Sequence, residues 1–155
     1  TATGGTPGYT YSWRRVSDNA IMGTNQNLTL DALSADQNDG QSFQCIITDS
    51  GTPTPQTVTS ATATLLPKLK ITTQPTDKQN TGSTVTFNVA VTGGTPGYTY
   101  SWQRVSDNAV MGTNPALTLD ALTASQNNNQ SFRCTITDSG SPTQTVVSTT
   151  AKLLG

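Results

Sequence analysis

Apolar residues fall at alternate positions through much of the chain, and clusters of Gly, Pro, Asn, Asp and Ser separate the runs. The clearest run sets Val85, Phe87, Val89 and Val91 against Thr86, Asn88 and Ala90. A period of two sends these sets to opposite faces, the pattern of a half-buried strand. Before it, Leu69-Lys-Ile-Thr72 reads as a short first strand, stopped by Gln74-Pro75, and Thr81-Gly82 turns the chain. After it, Gly93-Gly94 and Pro96-Gly97 form a loop, and Tyr98, Tyr100 and Trp102 share one face of the next strand. Ser106-Asp107-Asn108 is a turn, Leu117, Leu119 and Leu122 mark a strand and its exit, and Gln126 to Asn129 is a polar crossover. Phe132, Cys134 and Ile136 alternate along a further strand, and Asp138-Ser-Gly140 turns it. Val147, Ala151 and Leu153 are expected on the inner face of a last long strand. No stretch keeps helical periodicity over three turns. Seven short strands separated by turns predict a β-sandwich.

The pattern occurs twice. The ten residues from Gly93 to Trp102 are identical to those from Gly4 to Trp13, and Cys134 follows Cys45 at the same offset of 89 residues (102 − 13; 134 − 45). A one-residue deletion near Pro55 shifts the rest of the unit, so that Gln56-Thr57-Val58 aligns with Gln144-Thr145-Val146 and Leu65 with Leu153. A period near 90 suits a whole small β domain rather than a solenoid unit. The expected domains are a partial unit over 1–66 and a complete one over 67–155. Segment 67–92 has no counterpart in the first unit.

Composition narrows the chemistry. Of 155 residues only 11% are charged, the net charge is −1, and neither His nor Glu occurs. A Ser-His-Asp or Cys-His arrangement and a His-ligated metal are therefore impossible. Nine Asp remain, most of them in turns, where Asp accepts hydrogen bonds from backbone amides. Asp36 with Asp39, or Asp49 beside Ser50, offers hard oxygen ligands for calcium, but Ser125 and the Asn128 region replace the first pair in the second unit. No catalytic residue and no cofactor is expected. There is no concentrated basic face, which argues against nucleic acid as a partner. No apolar run approaches the ~18 residues of a membrane-spanning helix, so no membrane insertion is expected. The two cysteines stand at equivalent places in separate units and are expected to be free thiols. The Thr-, Ser- and Asn-rich, Lys-poor composition points to an extracellular setting. No signal peptide pattern is visible, and the chain opens in mid-motif, so any targeting segment is expected to have been removed or to lie outside it.

Val85-Thr-Phe-Asn-Val89, Trp102, Leu117-Thr-Leu119 and Phe132-Arg-Cys134 together resemble the immunoglobulin fold. The pattern is most similar to intermediate-set repeats of bacterial and phage surface proteins. Ile71-Thr-Thr-Gln-Pro75 and Ala151-Lys-Leu-Leu154 match the ends of such a repeat, and the Gly-Gly-Thr-Pro-Gly-Tyr-Thr-Tyr-Ser-Trp stretch is similar to repeats in large adhesins of gliding and marine bacteria. The resemblance implies an all-β protein of two tandem immunoglobulin-like sandwiches, the first lacking its own A and B strands. It implies a core of Trp13, Phe43, Cys45, Phe87, Val89, Trp102, Leu119, Phe132 and Cys134. Val89 stands where the family places its first disulfide cysteine, so the inter-sheet disulfide is absent. Its loss removes about 2–5 kcal/mol that packing must replace. Phe132 and Phe43 stand where the family has the tyrosine of the tyrosine corner, and that hydrogen bond cannot form.

The first unit retains strands C, C′, E, F and G. Without strand B the inner faces of Trp13, Leu30, Phe43 and Ile47 would meet solvent, at roughly 1.5–3 kcal/mol for each large side chain. Three explanations compete: residues outside this sequence supply the strands, another chain supplies them as in strand complementation, or the unit is partly disordered. Other features carry less. Lys70 is the only strand-A lysine that an isopeptide bond would use, and Asn27-Leu-Thr29 and Asn129-Gln-Ser131 fit the glycosylation pattern at non-equivalent places. Tyr9, Tyr11, Tyr98 and Tyr100 beside the Gly/Pro loops are candidates for stacking on sugars, against the alternative that they pack beside Trp and over the sheet. The expected function is a non-catalytic structural or adhesive module of an extracellular stalk, fibre, filament or virion appendage. Its partners are neighbouring repeats or other copies of the chain, and its location the cell or virion surface. The alternative is a carbohydrate- or receptor-binding accessory module, with surface glycans as partners.

Overall fold

A computed structural model describes all of residues 1–155. The chain divides into two compact units, Thr1–Pro67 and Lys68–Gly155.

The second unit builds two facing layers. Its strands are β6 (Lys70–Thr73), β7 (Lys78–Gln79), β8 (Val85–Asn88), β9 (Ala90–Thr92), β10 (Thr99–Arg104), β11 (Val110–Gly112), β12 (Ala116–Leu119), β13 (Ser131–Thr137), β14 (Thr145–Val147) and β15 (Ala151–Leu154). The larger sheet runs β11-β10-β13-β15-β7, with β14 also on β13 and β7 parallel to β15. The other layer consists of the antiparallel pairs β12-β8 and β6-β9. Phe87, Trp102, Phe132, Cys134, Ile136 and Leu153 have no exposed area and fill the space between the layers. The alternation of apolar residues gives each of these strands one face to bury between the layers.

The first unit builds one layer. Its strands are β1 (Thr10–Arg15), β2 (Ile21–Gly23), β3 (Ser42–Thr48), β4 (Thr57–Thr59) and β5 (Ala63–Thr64), in the order β2-β1-β3-β4 with β5 also on β3. Register repeats between the units: Trp13 lies opposite Cys45 and Trp102 opposite Cys134, and the ladder slips directly after each tryptophan.

Three local expectations change. Short helices α1 (Ala32–Gln37) and α2 (Ala121–Gln126) stand where a strand exit and a polar crossover were expected. The Asp31 and Asp120 carboxylates accept from the Ser34 and Thr123 amides at 2.8 Å, capping a single turn too short for periodicity to reveal. Leu122 sits on that helix, 69% exposed. The 85–91 strand is split at Val89, its first half paired with β12 and its second with β6. The last strand is also broken. Ser148 donates its amide to the Cys134 carbonyl and accepts the Cys134 amide on Oγ, both at 2.8 Å. This exchange interrupts the alternation, so Val146 packs on the core and Val147 points outward, before Ala151 and Leu153 turn inward again.

Candidate functional site

The feature that separates the units is the inner face of the first sheet. Trp13, Leu28, Leu30, Phe43, Ala63, Thr64 and Leu65 line an open apolar groove of about 260 Å³. Their counterparts Trp102, Leu117, Leu119, Phe132, Ala151 and Leu153 are almost wholly buried. In the second unit β8 supplies the cover. The Phe87 ring lies 5.4 Å from that of Phe132 and 6.5 Å from that of Trp102, both tilted. Nothing in residues 1–66 stands over this face as Phe87 does, and Trp13 is left half-buried, while Phe43 and Cys45 are buried.

The groove also changes backbone structure. Leu28-Thr-Leu30 repeats Leu117-Thr-Leu119, yet only the second forms a strand. The β12 ladder has β8 as its sole partner. Without one, the amides and carbonyls of 28–30 stay with solvent, because a strand is stable only as half of a pair.

A second hollow, about 60 Å³, lies at the other end of the same unit between Gly4, Gly5, Tyr9, Ile47, Gln56 and Val58. In the second unit Leu69 is buried at the corresponding place, and its amide donates to Gln144 Oε1 at 2.8 Å. A Cβ on Gly93 would come within 2.1 Å of the Lys68 carbonyl oxygen. A Cβ on Gly4, the equivalent glycine, would meet nothing within 4 Å. Gln144 and Leu28 carry no signal of their own in the sequence, and Leu69 shows there only as the start of a short strand.

The polar groups serve the scaffold. Asp138 accepts from the amides of Thr95, Gly140 and Gln144 at 2.8, 3.2 and 2.7 Å. Asp49 accepts from Thr6, Gly51 and Gln56 at 2.9, 3.2 and 2.6 Å. These amides hold both carboxyls below the ordinary carboxylate range, led by Gln144 for Asp138 and Thr6 for Asp49. Asp49, a candidate calcium ligand by sequence, is thus the clamp of its own loop. Arg104 binds Asp107 through two nitrogens at 3.0 and 2.5 Å and Asn127 Oδ1 at 2.7 Å, and Arg15 repeats this with Asp18 and Asn38. The arginine hydrogen bonds bring Asp18 and Asp107 down to about 2.

The tyrosines face inward. Tyr98 and Tyr100 pack against the core, and Tyr9 and Tyr11 are likewise half-buried. The Tyr9 and Tyr98 hydroxyls donate to the Gly4 and Gly93 carbonyls at 2.6 and 2.7 Å, which fixes each ring in its own loop. Burial raises the Tyr100 hydroxyl above its ordinary value. Cys45 and Cys134 are buried free thiols, and burial pushes Cys134 up to about 11. Lys70 is exposed on β6, as are Asn27 and Asn129 on their loops.

No family model matches the chain, and no curated protein matches it. Solved structures do. The three N-terminal domains of the highly immunogenic outer capsid protein Hoc of bacteriophage RB49 align over 94% of this chain and 57% of theirs, with 14% identity and a TM-score of 0.57. A chain of the complex of Dpr11 IG1 with DIP-gamma IG+IG2 aligns over 95% of this chain and 83% of its own, with 14% identity and a TM-score of 0.48. An amphioxus IgVJ-C2 molecule aligns over 99% and 92%, with 10% identity and a TM-score of 0.48. Combined with the sheet order of the second unit, the alignment to the phage protein establishes the fold: this chain is an all-β protein of the immunoglobulin-like type.

Proposed function

We infer that the chain is a non-catalytic, repeating structural or adhesive module of an extracellular stalk, fibre, filament or virion appendage, whose units assemble with neighbouring repeats or by sharing strands between chains. One observation supports this most directly: what the units share is scaffold. The tryptophan–cysteine register, the aspartate loop clamp and the arginine–aspartate–asparagine link recur at equivalent positions. The carboxylates of Asp18, Asp49, Asp107 and Asp138 are engaged by backbone amides or an arginine, as suits a scaffold role. The phage protein of similar fold is an outer capsid protein with several such domains, an arrangement of the kind proposed here.

Protease shaving of the intact cells or particles that make this protein tests the reading. Release of the chain without lysis supports a surface module. Confinement to the cytoplasm, turnover of a glycosidic or ester substrate by the purified chain, or glycan binding abolished by Tyr98→Ala would overturn it.

A further inference from the structure

The two units repeat one scaffold, but at one cross-strand pair they exchange residues. Arg14 of β1 stands opposite Gln44 of β3, and Gln103 of β10 stands opposite Arg133 of β13. These side chains alternate with Trp13, Phe43 and Cys45, or with Trp102, Phe132 and Cys134, so they lie on the outer face of each sheet, away from the core. From either strand the guanidinium reaches the same turn. Arg14 donates through Nη1 to the Asn19 carbonyl at 3.3 Å, and Arg133 donates through Nη2 to Asn108 Oδ1 at 2.8 Å. We propose that this outer patch, one copy in each unit, is a docking site for an acidic segment of a partner protein, whose carboxylate bonds the guanidinium.

Four features single out the patch. Arg15 and Arg104 are neutralised by Asp18 and Asp107. Arg14 and Arg133 bond only neutral groups and keep N–H donors open to an incoming anion. The exchange moves the arginine between strands and keeps one guanidinium at the turn; a need for the cation explains this, and a need for a particular residue on either strand does not. An apolar neighbour stands beside it in both units. Ile21 pairs with Arg14 and Val110 with Gln103, and these β-branched side chains are 61% and 60% exposed. The backbone is also shaped alike. The ladder slips at Arg14 and at Gln103, and Asn19 and Asn108 hold left-handed φ of 59° and 58°. Such a slip re-aims the side chains beside it, and the asparagine fixes the turn that receives the guanidinium.

The charge and the neighbour name the occupant. A carboxylate matches the planar fork of a guanidinium with two parallel hydrogen bonds. The aliphatic side chain adds area that leaves water on contact, and arginine beside apolar surface is the composition of protein interfaces. β2 and β11 are three-residue edges next to a bulge, a form that discourages strand addition, so recognition falls to side chains. The proposal deepens the adhesive reading of the chain and rests on it for the existence of a partner.

The test titrates synthetic peptides into the full chain and follows the arginine Nε–H signals and the Ile21 and Val110 amides by heteronuclear NMR. The peptides carry a Glu and a Leu at a series of short separations, each matched by a peptide with Gln for Glu. The acidic set is expected to move both groups of signals, and the Gln set to bind about tenfold or more weakly. Arg133→Gln is expected to leave only the first unit responding, and Arg14→Gln with Arg133→Gln to abolish the response. Adding Gln44→Arg to that pair is expected to restore it in the first unit, a rescue that a merely structural arginine would not show. The Trp13 and Trp102 indoles, bonded to the Asn25 and Asn114 carbonyls at 3.0 Å, give dispersed signals that report both units of each variant as folded. Equal binding of the Gln peptides, a silent titration at millimolar peptide, or no rescue by Gln44→Arg overturns the proposal. So does binding of an oligogalacturonate at these arginines in place of the peptides, since the carboxylate then belongs to a polysaccharide. Failure of surface shaving would remove the surface reading and leave this binding intact, so the two can fail separately.

Discussion

Replacing Phe87 by Ala should make the second unit behave like the first. The ring has no exposed area and bridges Phe132 and Trp102 at 5.4 and 6.5 Å. It stands opposite Leu117 in the β8–β12 ladder, so truncation leaves a void under the whole second layer. Burial of this kind is worth about 3–5 kcal/mol for Phe→Ala, and a typical domain has only about 5–15 kcal/mol in total. Each kcal/mol moves the midpoint of a domain of this size by about 4–8 °C, so a fall of about 12 °C or more is expected. Differential scanning calorimetry of the full chain reads it. The upper transition, assigned to the second unit, should fall toward the lower one, and the lower one should not move. Phe87→Leu, which keeps most of the volume, should cost less than half as much. A shift under about 4 °C, or an equal shift of both transitions, would refute the claim that the B strand separates a sealed unit from an open one.

The same geometry sets two further outcomes. Gly4→Ala and Gly93→Ala both place a side chain in the left-handed region, at about 1–2 kcal/mol, but only the second drives a Cβ to 2.1 Å from the Lys68 carbonyl. Chemical denaturation should show Gly93→Ala as clearly the more damaging, and equal costs would mean the approach of Lys68 carries no energy. The folded carboxyls of Asp18, Asp49, Asp107 and Asp138 are depressed, so their contribution is present above the unfolded value of about 3.9 and lost as pH falls through the folded values, near 2 for Asp18 and Asp107. With no His to titrate, the urea midpoint should be flat from about pH 7 to 5 and fall below about 4, and Asp138→Asn should lower it at neutrality while shallowing that fall; an acid-insensitive midpoint would contradict the clamp.

Much of the fold was legible because one-sided burial writes itself into a period of two. Val85-Thr-Phe-Asn-Val89 and Phe132-Arg-Cys134 are strands for that reason, and the ten-residue repeat fixed which strands are equivalent. The helices were not legible, since a single turn capped by Asp31 or Asp120 has no period to detect. Val147 points outward, against the alternation, because the Cys134–Ser148 exchange interrupts the inward parity, and that exchange is a pair of hydrogen bonds between separate strands that no local pattern encodes.

The open face shows where sequence stops. That Gly4 to Trp13 repeats Gly93 to Trp102 is a property of the sequence, as is the absence of any His or Glu. The fate of Leu28-Thr-Leu30 is not. The same three residues are a buried strand in one unit and unpaired chain in the other, because a strand's hydrogen bonds and its apolar shelter both come from a neighbour. Likewise Trp13 and Trp102 sit in identical local sequence, and only the second is sealed. Local sequence determines which face of a segment is apolar; whether that face is sealed as core is decided by what is packed against it.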